Sequence, residues 1–342
     1  MYGKIRFVGG CSLLALGLMM AIPAHSGLLP DDHGPIGVMG DHNHKSGEWM
    51  LSYRYSRMEM DGNRDGTNDL STAQVLNDFM VAPLDMTMEM HMFGAMYGVT
   101  DELTLMGMVP YVKKSMNHVN RMNVHFKTET KGIGDSKLTG LYTLYDSGEG
   151  AEAGHARQKV MLNVGISLPT GSVDKRGDTP AGANQKLPYP MQLGSGTFDP
   201  LLGVTYLNKH QGWSWGTQVN TTLRFGKNDE GYRLGNEYGA TAWAARNLAD
   251  YASVSFRLEG KSWGDIRGRD SDLNPMMVPT ARTDLRGGKR IDALIGVNLI
   301  KPEGTLAGHR LAAEFGLPVY QHLDGPQLET DYRFTLGWQW AF

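Results

Sequence analysis

The last eleven residues of the chain alternate strictly between two kinds of side chain. From Tyr332 to Phe342, every even-numbered position is aromatic or Leu, while the odd-numbered positions are Arg, Thr, Gly, Gln and Ala. A period of two is typical of a β-strand with one apolar face. In a soluble sheet this face would need cover, whereas in a transmembrane barrel it faces lipid. The pattern therefore predicts a membrane-spanning strand.

Both ends of the chain indicate export. Phe342, preceded by alternating aromatics, resembles the signal that the outer-membrane assembly machinery reads. At the other end, Lys4 and Arg6 precede the apolar run Leu13–Ile22 and then small residues, which is typical of a secretory signal peptide. We place cleavage after Ser26. We expect a barrel in the outer membrane of a Gram-negative bacterium, inserted by the barrel-assembly machinery and in contact with lipid and lipopolysaccharide.

The composition argues against several other classes of protein. The apolar run is shorter than the roughly 20 residues that a spanning helix needs, and no later stretch offers such a span. The only cysteine, Cys11, lies in the predicted signal peptide, so we expect no disulfide or cysteine metal site in the mature chain. The net charge of −3, without a basic patch, gives no reason to expect a nucleic-acid partner.

Twelve segments with strand alternation follow one another along the chain. The connections between them are alternately compact and long, as the periplasmic turns and external loops of a transmembrane barrel are. The sequence therefore predicts an all-β fold, an antiparallel transmembrane β-barrel of 12 strands with both termini periplasmic. The predicted units are a signal peptide (1–26), a polar His/Gly-rich strap or plug (27–46) and the barrel (47–342). The predicted strands are 48–58, 85–97, 102–112, 133–145, 158–169, 197–207, 213–225, 234–246, 251–262, 289–300, 309–320 and 331–342.

Five segments of the chain also carry a family resemblance: Gly40–Met50, Leu84–Tyr97, Lys131–Leu138, Leu168–Gly171 and Pro190–Thr197. Together they resemble the outer-membrane family labelled putative meta-pathway of phenol degradation, whose members are usually described as transporters. The resemblance extends over residues 36–342. It implies a barrel with a transport role, and it does not define a cargo.

Methionine and histidine are concentrated in the second predicted strand. Met86, Met88, Met90 and Met92 share one face, and Thr87, Glu89, His91 and Phe93 share the other. Thioether and imidazole groups are soft ligands that suit Cu(I). However, a charged Glu on the lipid face would cost a barrel a few kcal/mol. We therefore predict that the methionine face contacts lipid and that Glu89 and His91 face the lumen.

The turn after this strand predicts its partners on the next strand. A tight turn at Val99–Thr100 would pair Phe93 with Met106 and His91 with Met108, about 5 Å apart at their Cβ atoms. The resulting lumenal cluster would contain His91, Met106, Met108, Glu89 and Met58. Two interpretations stay open, namely a soft-metal site and, favoured by the space-filling role of methionine, ordinary interior packing.

The segment before the first strand is polar and Gly-rich, and it contains three histidines. His42 and His44, with Asp41 and His33 nearby, are candidate ligands for Cu(II), Ni(II) or Zn(II). The competing interpretation is a strap that plugs the lumen through hydrogen bonds. No cofactor is required by either interpretation, and copper or another transition metal is the candidate ligand.

Charged residues on the predicted lumenal faces are the candidates for setting solute selectivity: Glu89, Arg224, Arg257, Glu259 and Asp292. The acidic stretch Asp61–Asp69 is interpreted as a solvated loop. No His on a predicted lipid face stands beside a Ser, so we expect no enzyme activity.

The function that these patterns favour is a channel or transporter for a small solute, with copper-type metals or small aromatic compounds as the candidate cargo. The alternative is a metal-binding or structural outer-membrane barrel with little conductance.

Overall fold

Antiparallel strands form most of the computed structural model, which describes residues 30, 33–148, 156–210, 212–301 and 304–342. The predicted signal peptide and Cys11 lie outside these residues. No helix in the described ranges is long and apolar enough to cross a membrane. The strands are β1 (Trp49–Gly66), β2 (Asn68–Leu70), β3 (Val81–Gly98), β4 (Leu103–Asn120), β5 (His125–Ile133), β6 (Ser136–Asp146), β7 (Arg157–Leu168), β8 (Arg176–Thr179), β9 (Gly182–Lys186), β10 (Asp199–His210), β11 (Trp213–Thr222), β12 (Tyr232–Arg233), β13 (Glu237–Ala249), β14 (Ala252–Trp263), β15 (Arg267–Gly268), β16 (Gly288–Ile300) and β17 (His309–Ala341). The helix α1 (Thr72–Asp78) and the 3-10 turns Tyr189–Met191 and Pro279–Ala281 lie in the connections.

One sheet closes on itself to form a barrel. Its strand order is β17-β16-β14-β13-β11-β10-β7-β6-β4-β3-β1, and an additional β17–β1 pairing joins the two ends. Every pairing in this ring is antiparallel. β2 and β5 extend the sheet beyond the ring, while β8–β9 and β12–β15 form separate ribbons. The predicted closed antiparallel barrel is therefore confirmed.

The final strand element is unusually long. β17 has 33 residues, of which the first half pairs with β16 and the second half with β1. Gln321 Nε2 donates to the Thr330 carbonyl at 2.9 Å, and the Thr330 N–H donates to Gln321 Oε1 at 2.8 Å, so the two halves lie side by side. Eleven strand elements thus close the barrel, and the predicted number of twelve is not confirmed by this count.

The two faces of the barrel differ in polarity, in the opposite sense to a soluble protein. Large apolar side chains are exposed on the outward face: Leu51, Phe93, Val109, Val219, Phe256, Ile295 and Leu311. Buried polar side chains line the inward face: Ser52, Asn163, Gln218, Asn298 and Gln339. On the final segment the even-numbered aromatic positions lie outward, as the alternation predicted, since Gln339 is buried and Leu336 is exposed. An apolar exterior around a polar interior is the arrangement of a transmembrane barrel.

The connections at the two ends of the barrel also differ. One end has short connections, such as the turn between β3 and β4 and the one between β13 and β14. The other end carries the helix α1, both 3-10 turns and the two separate ribbons. β1, β3 and β4 have 18 residues each and extend further than predicted. The stretch Asp61–Asp69, interpreted as a solvated loop, instead forms a hairpin in which Asp65 pairs with Asn68.

Candidate functional site

The chain that precedes β1 lies inside the barrel. His33, Asp41 and His44 are only 7 %, 2 % and 6 % exposed. Inward side chains of three different strands donate to its carbonyls, namely Arg310 Nη2 to Gly34 (2.6 Å), Gln218 Nε2 to Met39 (2.9 Å) and Asn163 Nδ2 to Gly40 (3.3 Å). Because these donors come from β17, β11 and β7, residues 33–46 must cross the lumen. We call this stretch the inner segment.

Glycine allows the inner segment to fit against the barrel wall. A Cβ atom at Gly37 would lie 2.2 Å from Glu314 Oε2 and 2.4 Å from Arg257 Nη2. A Cβ atom on the opposing wall at Gly337 would lie 2.5 Å from Ile36 Cδ1. The close fit explains why a Gly-rich sequence precedes the first strand.

The inner segment brings an imidazole and carboxylate cluster together. His33 Nδ1 lies 3.2 Å from His42 Nδ1, which lies 2.8 Å from Asp41 Oδ1. Asp41 is held by the Gly34 N–H, which donates to Asp41 Oδ2 at 2.6 Å. The ring of His44 is centred 5.1 Å from that of His42. The predicted grouping of these four residues is therefore what the structure shows, although whether they bind metal stays a prediction.

Burial sets the charge state of this cluster. Burial lowers the pKa of His33 well below its ordinary value, and the neighbouring His42 lowers it further. Burial also lowers the pKa of His44, against the opposing effect of Glu48. Although burial opposes it, the nearby His42, His33 and Arg310 hold the pKa of Asp41 far below its ordinary value. At neutral pH the cluster therefore contains an ionised Asp41 carboxylate, and the lowered pKa values of His33 and His44 favour the neutral imidazole, which has a free nitrogen lone pair.

The methionine face of β3 points inward, so the predicted lipid-facing orientation is wrong. Met86 and Met96 are each 4 % exposed, whereas Phe93 on the opposite face is 57 % exposed. Met88 and Met90 stand opposite Met58 and Ser56 of β1, which are inward positions. Every methionine of a barrel strand within the described ranges points inward: Met50, Met58 and Met60 of β1, Met86, Met88, Met90, Met92 and Met96 of β3, Met106, Met108 and Met116 of β4, and Met161 of β7.

The predicted pairing of β3 with β4 was wrong as well, because the turn between them is longer than expected. The Val99 and Thr100 N–H groups both donate to the Leu103 carbonyl, and Gly98 pairs with Thr104. Met96 therefore stands opposite Met106, and His91 stands opposite Tyr111, a register three residues away from the predicted one. An odd shift moves every side chain of a strand to the other face. Met106 and Met108 are inward as predicted, because their own strand was assigned correctly.

His91 and Glu89 consequently lie on the outer surface and are separated from the methionines. His91 Nδ1 is 2.7 Å from the Tyr53 hydroxyl, and Glu89 Oε1 accepts from the Tyr55 hydroxyl at 2.8 Å. Glu89 also lies 3.5 Å from Lys113 Nζ. β3 has 18 residues, whereas a tilted strand needs roughly 9–11 to span a membrane, so part of β3 extends beyond the bilayer. Glu89 lies near the middle of β3, and Lys113 provides it with a charged partner on the outer surface.

The inward methionines form two clusters. The first contains Met50, Met96, Met106, Met108 and Leu141, and Met39 of the inner segment and Met92 pack against it. The second contains Met86, Met116, Leu187 and Met191, against which Met60 and Leu328 pack. The first cluster contacts the inner segment, and the second contacts the connection between β7 and β10. We call the inward methionines of β1, β3 and β4 the methionine wall.

Part of the connection between β7 and β10 folds into the barrel. Met191 is fully buried, and Lys114 Nζ donates to the Pro190 and Gln192 carbonyls at 2.7 and 2.5 Å. The Thr130 hydroxyl donates to the Met191 carbonyl at 2.8 Å. The lumen is therefore narrowed at two levels. The connection between β7 and β10 fills it at the end with long connections, and the inner segment crosses it nearer the end with short connections.

Charged side chains line the wall formed by β14, β16 and β17. Arg257 Nε and Nη2 both donate to Glu314 at 2.7 Å. Arg333 donates to Glu259 and, at 2.5 Å, to Asp292. Arg257, Glu259 and Asp292 thus lie in the lumen as predicted. Arg290, Glu314 and Arg333 complete this group, which we call the charged wall; of these only Arg333 was assigned an inward position from the sequence.

The two remaining predicted selectivity residues lie elsewhere. Arg224 binds Asp199 and Glu237, the first residues of β10 and β13, so it lies at the mouth with long connections. Glu89 lies on the outer surface, and its predicted place in the lumen is wrong.

The family to which the chain belongs follows from a match over most of the barrel. Residues 64–277 match the family model described as Putative MetA-pathway of phenol degradation. The chain is a member of this family. The matched stretch is shorter than the predicted resemblance over residues 36–342, and it confirms that resemblance. No curated protein sequence matches the chain.

A solved structure confirms the barrel fold. The COG4313 outer membrane channel from Pseudomonas putida F1 aligns with a TM-score of 0.60 at 17% identity, covering 88% of this chain and 98% of that one. A Pseudomonas aeruginosa FadL homologue aligns with a TM-score of 0.40 at 10% identity, covering 86% of this chain and 90% of that one. The first alignment shows that this family member has the fold of an outer-membrane channel. The second is too distant to support an argument.

Proposed function

We propose that this family member is an outer-membrane channel for small solutes whose passage is restricted by the inner segment. The observation that carries this proposal is the division of the lumen into a methionine wall and a charged wall, both of which contact the inner segment. A purely structural barrel gains nothing from placing ion pairs such as Arg257–Glu314 inside, because burying charges is costly even when they are paired.

The orientation in the membrane follows from the connections. We infer that β17 crosses the membrane twice, because a ring of solely antiparallel strands needs an even number of crossings; this gives twelve spans. Short turns are typical of the periplasmic end and long connections of the outside. The inner segment and Phe342 then lie near the periplasm, in agreement with export by a signal peptide and insertion by the barrel-assembly machinery, with lipid and lipopolysaccharide around the barrel.

The methionine wall favours weakly polar organic cargo, of which small aromatic compounds are the class that the family description suggests. Methionine sulfur contacts aromatic rings favourably, and its flexible side chain adapts to ligands of different shape. Met88, Met90 and Met92 are only half-buried, so they offer such a surface on the lumen side. The charged wall, which adjoins the methionine wall where Met58 pairs with Arg333, would hold water and polar groups of the solute.

A second candidate function is a metal-binding barrel with little conductance. It is favoured by the imidazole cluster of the inner segment, where His33, Asp41 and His42 place ligand atoms within 4.8 Å of one another.

The inner segment provides the test. A Cβ atom at Gly98 would lie 1.9 Å from the Lys45 carbonyl oxygen, which is backbone and cannot rotate away. Gly98→Ala should therefore loosen the inner segment, and removal of residues 33–46 should release it fully. We expect single-channel conductance in planar bilayers, and the swelling rate of liposomes in phenol, to rise severalfold in both variants.

Gly107→Ala is the matched control, because its new Cβ atom would meet only Leu138 Cδ2 at 3.6 Å. Its conductance should equal that of the unchanged barrel. If all three variants fold and neither conductance nor phenol uptake changes, the channel function fails and the second candidate is favoured.

A further inference from the structure

The imidazole cluster in the lumen has the geometry of a transition-metal site. His33 Nδ1 and His42 Nδ1 are 3.2 Å apart. Two nitrogen ligands at about 2.0–2.1 Å from one tetrahedral ion would be separated by roughly 3.3 Å. Asp41 Oδ1 lies 2.8 Å from the same His42 nitrogen, slightly inside this distance. Small outward movements of these three side chains would therefore place an ion between them.

The hydrogen bonds of His42 are incomplete in either tautomer of its ring. Its Nδ1 atom is close to both His33 and Asp41, and its Nε2 atom is buried with no hydrogen-bond partner in the described part of the chain. If the ring proton is on Nδ1, the Nε2 lone pair is unused. If the proton is on Nε2, this buried N–H has no acceptor, and the lone pair of Nδ1 faces a lone pair of Asp41 Oδ1. Neither tautomer satisfies the ring, which is unusual for a buried polar group.

His44 adds a second incomplete imidazole. Its side chain is 6 % exposed, and its Nε2 atom is also buried without a hydrogen-bond partner among the described residues. Its ring meets that of His42 at an interplanar angle of 79°. A fourth ligand, and the third nitrogen, is thus available beside His33, Asp41 and His42.

Three contacts hold the cluster in place. Asp41 is oriented by the Gly34 N–H at 2.6 Å, as carboxylate ligands commonly are by groups behind them. The carbonyl of the same Gly34 accepts from Arg310 Nη2, so the loop that carries the cluster is fixed to β17. On the other side, Met39 packs against the methionines of β1, β3 and β4.

We propose that His33, Asp41 and His42, with His44 as the fourth ligand, form a copper site inside the barrel. Imidazole nitrogens and one carboxylate suit a divalent transition ion, and among these ions Cu(II) binds most tightly to a given set of nitrogen and oxygen ligands. The adjacent thioethers are soft ligands of the kind that suit Cu(I). This proposal does not depend on the channel function. The ligands belong to the inner segment, and metal binding is measured on the intact barrel, whether or not it conducts.

The test uses the folded, metal-free barrel in detergent, titrated with CuCl₂ and with ZnCl₂ by calorimetry. We expect one Cu(II) per barrel, bound more tightly than Zn(II), with an electron paramagnetic resonance spectrum that shows splitting by nitrogen ligands. His42→Gln should remove the binding and the nitrogen splitting. Asp41→Asn, which keeps an acceptor for Gly34, should weaken it by at least about tenfold.

His125→Ala is the matched control, because this histidine is exposed on β5. It should bind copper like the unchanged barrel. Migration in unheated gels shows whether each variant is folded, and Asp41→Asn decides the outcome if His42→Gln does not fold. Absence of a one-to-one Cu(II) complex in the folded barrel, or equal binding by Asp41→Asn and His125→Ala, would overturn the proposal. Conductance is recorded on the same samples, so that failure of the channel function is seen separately.

Discussion

The ion pair between Arg257 and Glu314 shows what individual residues contribute inside this barrel. Both side chains are 1 % exposed, and both bonds between them are 2.7 Å long. Arg257→Met leaves a buried carboxylate without its partner, which should lower the free energy of unfolding by about 3–5 kcal/mol. The double variant Arg257→Met/Glu314→Leu should recover most of this loss. Arg57→Met, which removes a partly exposed Arg from the outer surface, is the control.

These free energies are measured by urea titration of the barrel in lipid vesicles. Equal destabilisation by the single and the double variant would contradict the prediction, since it would mean that packing, and not the unpaired charge, determines the loss.

Residue patterns predicted the face of a side chain only where its strand had a clear apolar side. Arg333 and Gln339 were placed inward correctly because aromatic residues alternate with them. The β3 methionines were placed on the wrong face because methionine is compatible with either lipid or a packed interior. The cost of a lipid-facing Glu89 then decided the assignment, although Lys113 and Tyr55 stabilise that Glu on the outer surface.

At the scale of elements, the long connections are joined by one lysine. Lys186 of β9 lies 3.0 Å from Asp174, from Glu230 in the connection before β12 and from Asp270 in the connection after β15. Its side chain is 1 % exposed, and Asp270 is buried as well. Lys186→Met should therefore release the connection between β7 and β10 and raise the rate of trypsin cleavage after Arg176 more than about tenfold. Lys127→Met, which removes an exposed ion pair, should leave that rate unchanged.

The pKa values of Lys186 and of its partner Asp174 predict how the long connections respond to pH. Burial alone would lower the pKa of Lys186, but hydrogen bonds to Asp270, Asp174 and Glu230 raise it overall. A pKa raised in the folded state adds stability at neutral pH, which is lost as the pH rises through that value. The hydrogen bond from Lys186 lowers the pKa of Asp174, whose contribution is lost as the pH falls through its own value. Trypsin resistance should thus fall in alkali, and Lys186→Met should not show this fall.

Element lengths could be predicted less well than element existence. The alternation located every barrel strand, because a half-buried strand has a period of two. It did not predict that β1, β3 and β4 continue to 18 residues, because the added stretches 59–66, 81–84 and 113–120 lack a regular alternation of apolar and polar residues. The turn from Gly98 to Leu103 was also predicted too short, and this error shifted the predicted register between β3 and β4 by three residues.

At the scale of the whole molecule, the inside and the outside of the barrel are defined by the closure of the sheet. Closure requires Met90 to face the lumen together with Ser56, and Phe93 to face outward. Met90→Cys should then react with a small, charged thiol reagent in water, and reaction should be faster when residues 33–46 are removed. Phe93→Cys in lipid vesicles should resist that reagent and react with a lipophilic maleimide.

The unchanged barrel is a suitable background, because Cys11 is the only cysteine of the full chain and lies in the predicted signal peptide. Mass spectrometry of the labelled barrels gives the rates directly. The opposite result is that the charged reagent reaches position 93 and that only the lipophilic maleimide reaches position 90. That result would require the register between β3 and β4 that a two-residue turn at 99–100 produces. It would also move Met88 and Met92 to the lipid face and leave the lumen without its methionine wall, so this pair of variants tests the surface on which the proposed passage of small solutes depends.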